Sequence, residues 1–175
     1  MADELIKIYD ENNTYSGKNL MKSVAHKEGL WHRTVHICIY NSKGQILLQK
    51  RAARKELLPD MWDISVAGHI NSKQTELDAA ICEISEEIGI DVKESDLDFF
   101  KIYKFAGTYR NIINNEFFYF YFLKLDLDTN SLVLQESEVA DAQWFEPSRV
   151  LDNSIDNLVQ QIYWLEIINK IKSLQ

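Results

Sequence analysis

The chain has 175 residues, of which 46% are hydrophobic and 26% charged, enough for one globular domain with a sizeable core. Its 27 acidic against 19 basic residues leave a formal net charge of −8, which argues against nonspecific binding to nucleic acid or to an anionic membrane. A small phosphorylated substrate stays compatible, because a bound metal can neutralise its charge locally.

The N-terminal run Met-Ala-Asp-Glu-Leu-Ile-Lys-Ile-Tyr-Asp shows neither a basic nor a long apolar segment, so no secretory signal is read there. No stretch approaches the roughly 20 apolar residues that span a bilayer. Cys38 and Cys82 lie in apolar segments and read as reduced thiols. A cytoplasmic protein is expected, with no membrane partner.

Leu5 to Tyr9 alternates apolar and polar residues as a strand does, and Asp10-Glu-Asn-Asn13 reads as a turn into a second short strand. Residues 18–29 are expected to form a short helix stopped by Gly29, which completes an N-terminal unit over 1–30. Thr34 to Tyr40 reads as a strand, Asn41-Ser-Lys-Gly44 as a turn, and Gln45 to Arg51 as the hairpin partner. His32 and His36 then share one sheet face.

Residues 62–70 lead, extended, into a helix that Thr75 and Asp78 open as a capping box and Gly89 closes. Leu77, Ala80, Ile81, Ile84 and Ile88 form its apolar stripe, which turns Glu83, Glu86 and Glu87 towards another face, to cleft or solvent. Strands are expected near 99–105, 116–125 and 142–145. The aromatic run 117–122 in the second of these reads as core and cleft wall. A closing helix over 156–172 would carry Leu158, Ile162, Leu165 and Ile168 inward. No repeat or low-complexity linker divides residues 1–175, so a single α/β domain with a curved mixed sheet between helices is expected.

Three carboxylates at i, i+3 and i+4 repel one another on a helix unless something positive sits among them. A hard divalent cation such as Mg²⁺ or Mn²⁺ takes oxygen ligands and bridges to phosphates, so Glu83, Glu86 and Glu87 are candidate metal ligands for diphosphate chemistry. The alternative for any such charge run is a solvated helix face.

The segment Gly68 to Ile90 resembles the signature box of the Nudix hydrolases: Gly, five residues, Glu, seven residues, then Arg-Glu-apolar-any-Glu-Glu-any-Gly-apolar. Gly68, Glu83, Ile84, Glu86, Glu87, Gly89 and Ile90 match, whereas Gln74 and Cys82 stand where the box carries Glu and Arg. Joint loss of that pair is more tolerable than loss of one partner, since a lone buried charge is the costly case. Leu30-Trp-His-Arg-Thr-Val-His-Ile37, Leu47-Leu-Gln-Lys-Arg51 and Trp62-Asp-Ile-Ser-Val-Ala-Gly-His69 are similar to the branch that includes type I isopentenyl-diphosphate isomerases, and the likeness covers about residues 3–150. The resemblance implies an α/β/α sandwich. It also implies Mg²⁺ or Mn²⁺ on Glu83, Glu86 and Glu87, and cleavage of a diphosphate linkage by a metal-activated water.

Against the isomerases, Ala67 occupies the position of the catalytic cysteine, Glu116 matches a catalytic Glu, and Asn114 replaces its companion. His32 and His69 line up with metal-binding histidines, and His26 lies near a third. A complete histidine-rich second metal site is therefore not expected. Neither is isomerase chemistry, since alanine can neither give nor take a proton. Glu116 and the loop acid Glu138, with Glu136 as competitor, are the candidate general bases. Gly68 and His69 are candidate substrate contacts, His69 being equally readable as a structural histidine. Arg33, Lys50 and Arg51 could meet phosphate or be ordinary surface cations, and of these Arg51 is taken as the substrate contact. Glu76 is assigned to the helix dipole, and loops near 104–115 to specificity. The expected function is metal-dependent hydrolysis of a small nucleoside- or isoprenoid-diphosphate-type substrate, with a possible homodimer. The alternatives are an isomerase-like protein or a weakly active diphosphate-binding domain.

Overall fold

The computed structural model describes residues 3–174. Strands β1 (Leu5–Tyr9) and β2 (Tyr15–Met21) form a hairpin that runs straight into helix α1 (Lys22–Glu28), which Gly29 ends in the left-handed region at φ 65°. Helix formation starts four residues later than expected because residues 18–21 stay hydrogen-bonded to β1, with Leu5 opposite Met21 and Ile6 opposite Leu20.

The main sheet holds β3 (His32–Tyr40), β4 (Ile46–Arg51), β5 (Trp62–Asp63), β6 (Val66–His69), β7 (Leu97–Tyr109), β8 (Ile112–Lys124) and β9 (Val139–Phe145). Its order is β5-β4-β3-β8-β7, with β6 on β3 and β9 on β4. Only the β3–β8 pair is parallel among these, so the sheet is mixed. Residues 41–44 make the expected turn, but β3 and β4 stay paired only at Tyr40 and Ile46, and β4 finds its longer partner in β9.

Alternation along β3 divides the core. Val35, Ile37 and Ile39 pack on helix α2 (Glu76–Ile88) with Ala79, Ala80, Ile84 and Ile88. Cys38 and Tyr40 join Phe118, Phe120 and Phe122 on the other face, under α3 (Pro147–Leu151) and α4 (Trp164–Ser173). Helices on both faces of one mixed sheet make the α/β/α sandwich anticipated above. The Thr75–Asp78 capping box and the Gly89 stop of α2 are both present.

Two expected segments differ. The closing helix begins at Trp164, not Asp156, because the chain before it is held extended on β5: Trp62 N donates to Asn157 O at 2.9 Å and Val159 N to Trp62 O at 2.8 Å. Its buried face is Trp164, Ile167, Ile168 and Ile171, which leaves Ile162 and Leu165 56% and 63% exposed. The stretch 104–115 is strand rather than loop, crossed by a tight turn at Arg110 (φ 53°) between β7 and β8.

These placements have a direct consequence for stability. Ile84→Ala, emptying a fully buried position of α2, should lower unfolding free energy by about 2–5 kcal/mol in urea titrations. Ile162→Ala should stay within roughly 0.5 kcal/mol of the parent.

Candidate active site

Strand β6 pairs antiparallel with β3, setting Ala67 opposite His36, Gly68 opposite Val35 and His69 opposite Thr34. Facing residues of a pair lie on the same side of the sheet. Gly68 therefore turns towards α2, while Ala67 and His69 turn to the opposite face.

On the α2 side, the carboxylate of Glu83 lies directly against Gly68, so that any side chain at 68 would collide with it. Glu87 is buried, and its Oε2 accepts from Gln49 Nε2 at 3.0 Å and its carboxylate from the Ala67 backbone N–H. Glu138 is buried with it and pairs with the Lys55 ammonium, while its Oε1 has no hydrogen-bond partner among the described residues. Glu86 is exposed on the next turn surface. The expected common face for the three acids thus splits: α2 is rotated so that Glu87 points into protein, Glu83 is partly covered and Glu86 meets solvent. Burial pushes the Glu83 carboxyl up to about 8, reinforced by Glu87, Glu4 and Glu86. Burial raises Glu87 to about 7 against the opposing pull of Lys55 and Gln49.

On the other face, the β3–β8 register brings His32 opposite Glu116. His32 Nε2 is 3.3 Å and His69 Nε2 3.6 Å from Glu116 Oε1. Helix α1 adds His26, whose Nε2 is 3.2 Å from that of His69. Ligand atoms of His26, His32, His69 and Glu116 all lie within 4.8 Å of one another. A third imidazole, placed only near the site from the sequence, is delivered because α1 packs across β8, while Asn114 contributes no ligand to the cluster. His32 Nδ1 lies 2.9 Å from Leu30 O, which fixes the ring so that its buried Nε2 faces the cluster and Glu116. Burial lowers His26 to about 4 and His69 well below its ordinary value, so these imidazoles are neutral at pH 7. Burial acts to raise Glu116, but contact with His32 and the nearby imidazoles outweighs it, and the carboxyl lies below the usual range. Imidazoles with one carboxylate are a donor set for a divalent transition ion such as Mn²⁺ or Zn²⁺, whereas oxygen ligands alone favour Mg²⁺ or Mn²⁺. Among the described residues it is the histidine set whose ligand atoms already converge on one point, whereas the α2 carboxylates are spread between cover and solvent.

The remaining candidates are placed elsewhere. Arg51 is committed to protein, with NH1 3.3 Å from Asp63 Oδ2 and Nε and NH2 donating to Leu57 O at 3.1 and 3.0 Å. Arg33 binds Glu76 and Asn13. His36 stacks on Phe118 at 4.1 Å and shares a hydrogen with the Tyr163 hydroxyl at 2.8 Å, apart from the other histidines. Glu136 is exposed, so Glu138 is the loop acid turned inward. The cation among the acids is Lys55, from an irregular loop that carries no periodic signal; nothing in the sequence pattern marks it.

The NUDIX domain model matches residues 30–164. An uncharacterized Nudix hydrolase of Clostridium acetobutylicum is 33% identical over 164 residues, covering 90% of this chain and 79% of that one. Isopentenyl-diphosphate Delta-isomerase 1 of Aromatoleum aromaticum is 31% identical over 166 residues, covering 95% and 90% respectively. Among solved structures, a Deinococcus radiodurans protein superposes with a TM-score of 0.71 at 20% identity, covering 96% of this chain and 99% of that one, and so shares the fold.

The shifted groups set a pH dependence in two opposed windows. Below about 6.5, His26 and His69 bind fewer protons folded than unfolded, which favours folding as pH rises, while Glu83 and Glu87 bind more and oppose it. Between about 6.5 and 8 only the acids still differ, so the metal-free protein should lose Tm across that interval. Calorimetry in EDTA should show the fall, and Glu83→Gln/Glu87→Gln should flatten it.

Proposed function

The chain belongs to the Nudix family, and on that premise we propose that it hydrolyses the diphosphate linkage of a small nucleoside- or isoprenoid-diphosphate-type substrate with Mg²⁺ or Mn²⁺. The observation that carries the reading is a set of covered acids beside β6: Glu83 against a glycine with no room for a side chain, Glu87 held by Gln49, and Glu138 paired with Lys55. Covered acids that repel one another, with one paired lysine, leave room for further positive charge.

Glu83, Glu86 and Glu87 would hold the cation, and a bound Mg²⁺ or Mn²⁺ would supply a water of lowered pKa together with charge for the leaving phosphate. Gln49 and the Ala67 amide fix the Glu87 carboxylate by hydrogen bonds, which orients a ligand before it binds. Gly68 lets Glu83 approach β6. Glu138, with one carboxylate oxygen unpartnered among the described residues, or Glu116 among its histidines, would accept the proton of the attacking water. His69 would bear on substrate or metal from the far side of β6. Lys55 takes the place envisaged for Arg51 as the cation nearest the acids.

The histidine cluster favours a second reading, an isomerase-like protein, since a relative named as an isopentenyl-diphosphate isomerase aligns along most of the chain. The Ala67 methyl weighs against it, because it offers no proton. Assays of double-bond migration and of phosphomonoester formation on one panel of nucleotide-sugar, dinucleotide and isoprenoid diphosphates separate the two.

Mg²⁺-dependent hydrolysis of the diphosphate linkage should fall in Glu86→Gln and Glu87→Gln by at least the roughly 10–100-fold that a partner of a metal ligand is worth. Full turnover in both variants would overturn the metal assignment.

A further inference from the structure

Gln74 and Cys82 remove the charged pair that the box pattern would provide. Gln74 now makes only a local bond, its Oε1 accepting from Asn71 N at 3.2 Å. Another ion pair grips the same helix. Arg33 points from β3 to the α2 face, and its NH1 lies 2.6 Å from Oε1 of Glu76, the first residue of α2.

The guanidinium is fully committed there. Its Nε donates to Asn13 Oδ1 at 2.7 Å and its NH2 to Asn13 O at 3.0 Å. Its plane covers the Tyr9 ring at 3.8 Å, with the Tyr119 ring at 5.0 Å. Asn13 is itself held, in the left-handed region at φ 64°, by Nδ2 donating to the Tyr119 hydroxyl at 3.2 Å. The N-terminal hairpin, the central sheet and the start of α2 thus meet at one side chain. Beside it, Ser72 N donates to Leu5 O at 2.8 Å, which fastens the loop before α2 to β1.

Glu76 precedes Glu83 by seven residues and Glu87 by eleven, spacings that return to the same side of a helix with 3.6 residues per turn. A grip on Glu76 therefore fixes the rotation and height at which the two covered carboxylates reach β6. Metal sites tolerate displacements of only about 0.2–0.5 Å. The Glu83–Glu87 repulsion would otherwise be relieved by turning the helix.

We propose that Arg33 and Glu76 form a positioning pair that holds α2 in the orientation its carboxylates need to bind a divalent cation, in place of the pair lost at 74 and 82. The inference rests on the metal reading above, and the experiment separates the two. Mn²⁺ binding to the full chain without substrate is followed by calorimetry and EPR, and the α2 site is taken as the binding that Glu87→Gln removes. Arg33→Met and Glu76→Gln should each weaken that binding about 10-fold or more, and the double variant should be no weaker than the worse single one. Arg33→Lys, which keeps the charge and loses the fork, should fall between parent and Arg33→Met. Ile167→Val, which loosens the core on the opposite face, should lower Tm and leave Mn²⁺ affinity unchanged. Parental affinity in folded Arg33→Met and Glu76→Gln would overturn the pair's role while leaving the metal reading intact. If Glu87→Gln removes no Mn²⁺ from the parent, the metal reading fails and this inference falls with it. Glu76→Gln is nearly isosteric, so it remains informative should Arg33→Met not fold.

Discussion

The parallel pairing of β3 with β8 is the constraint on which the rest of the molecule depends. Its register runs unbroken from His32 opposite Glu116 to Tyr40 opposite Lys124. Because side chains alternate across a strand, that single register sends His32 to one face with Glu116 and Arg33 to the other with Glu76. A slip of one residue would exchange the faces, stranding an arginine among apolar side chains and a histidine cluster under α2. The apolar neighbours resist such a slip, since Val35, Ile37 and Ile39 are fully buried on the α2 side.

Much of the architecture was legible because its signals are local. The capping box at Thr75, the glycines at 29 and 89, and the alternation of β1 and β3 each act within a few residues, and each is present in the fold. What was not legible depends on distant partners. The onset of α1 is decided by β1, and the onset of α4 by the hydrogen bonds of Asn157 and Val159 to Trp62. Those two boundaries carry consequences for the candidate site. A helix starting at Lys22 sets His26 over His69, whereas a helix read from residue 18 gives no reason to place it there.

The same distinction explains the acids. Spacing alone groups Glu83, Glu86 and Glu87, but their exposure follows from how far α2 is rotated against the sheet, which the apolar stripe defines only loosely. Buried Ala79 and Ala80 leave the helix close to β6, and closeness turns Glu87 inward onto Gln49 and the Ala67 amide. Lys55 arrives from an irregular loop whose path is set by Arg51 holding the Leu57 carbonyl. Arg51 therefore shapes the site without facing it.

Three consecutive residues of β6 serve both faces at once. Ala67 gives its backbone N–H to Glu87 on one side and its methyl to the His36 side on the other; Gly68 makes room for Glu83; His69 joins the imidazole cluster. The backbone contribution of position 67 does not depend on its side chain. Exchanging a proton-active side chain for a methyl there alters one face and leaves the hydrogen bond to Glu87 in place. A chain of this fold can therefore change the side chain at 67 on one face while keeping the Glu87 contact on the other. The two faces are separable because strand alternation, not distance, divides them.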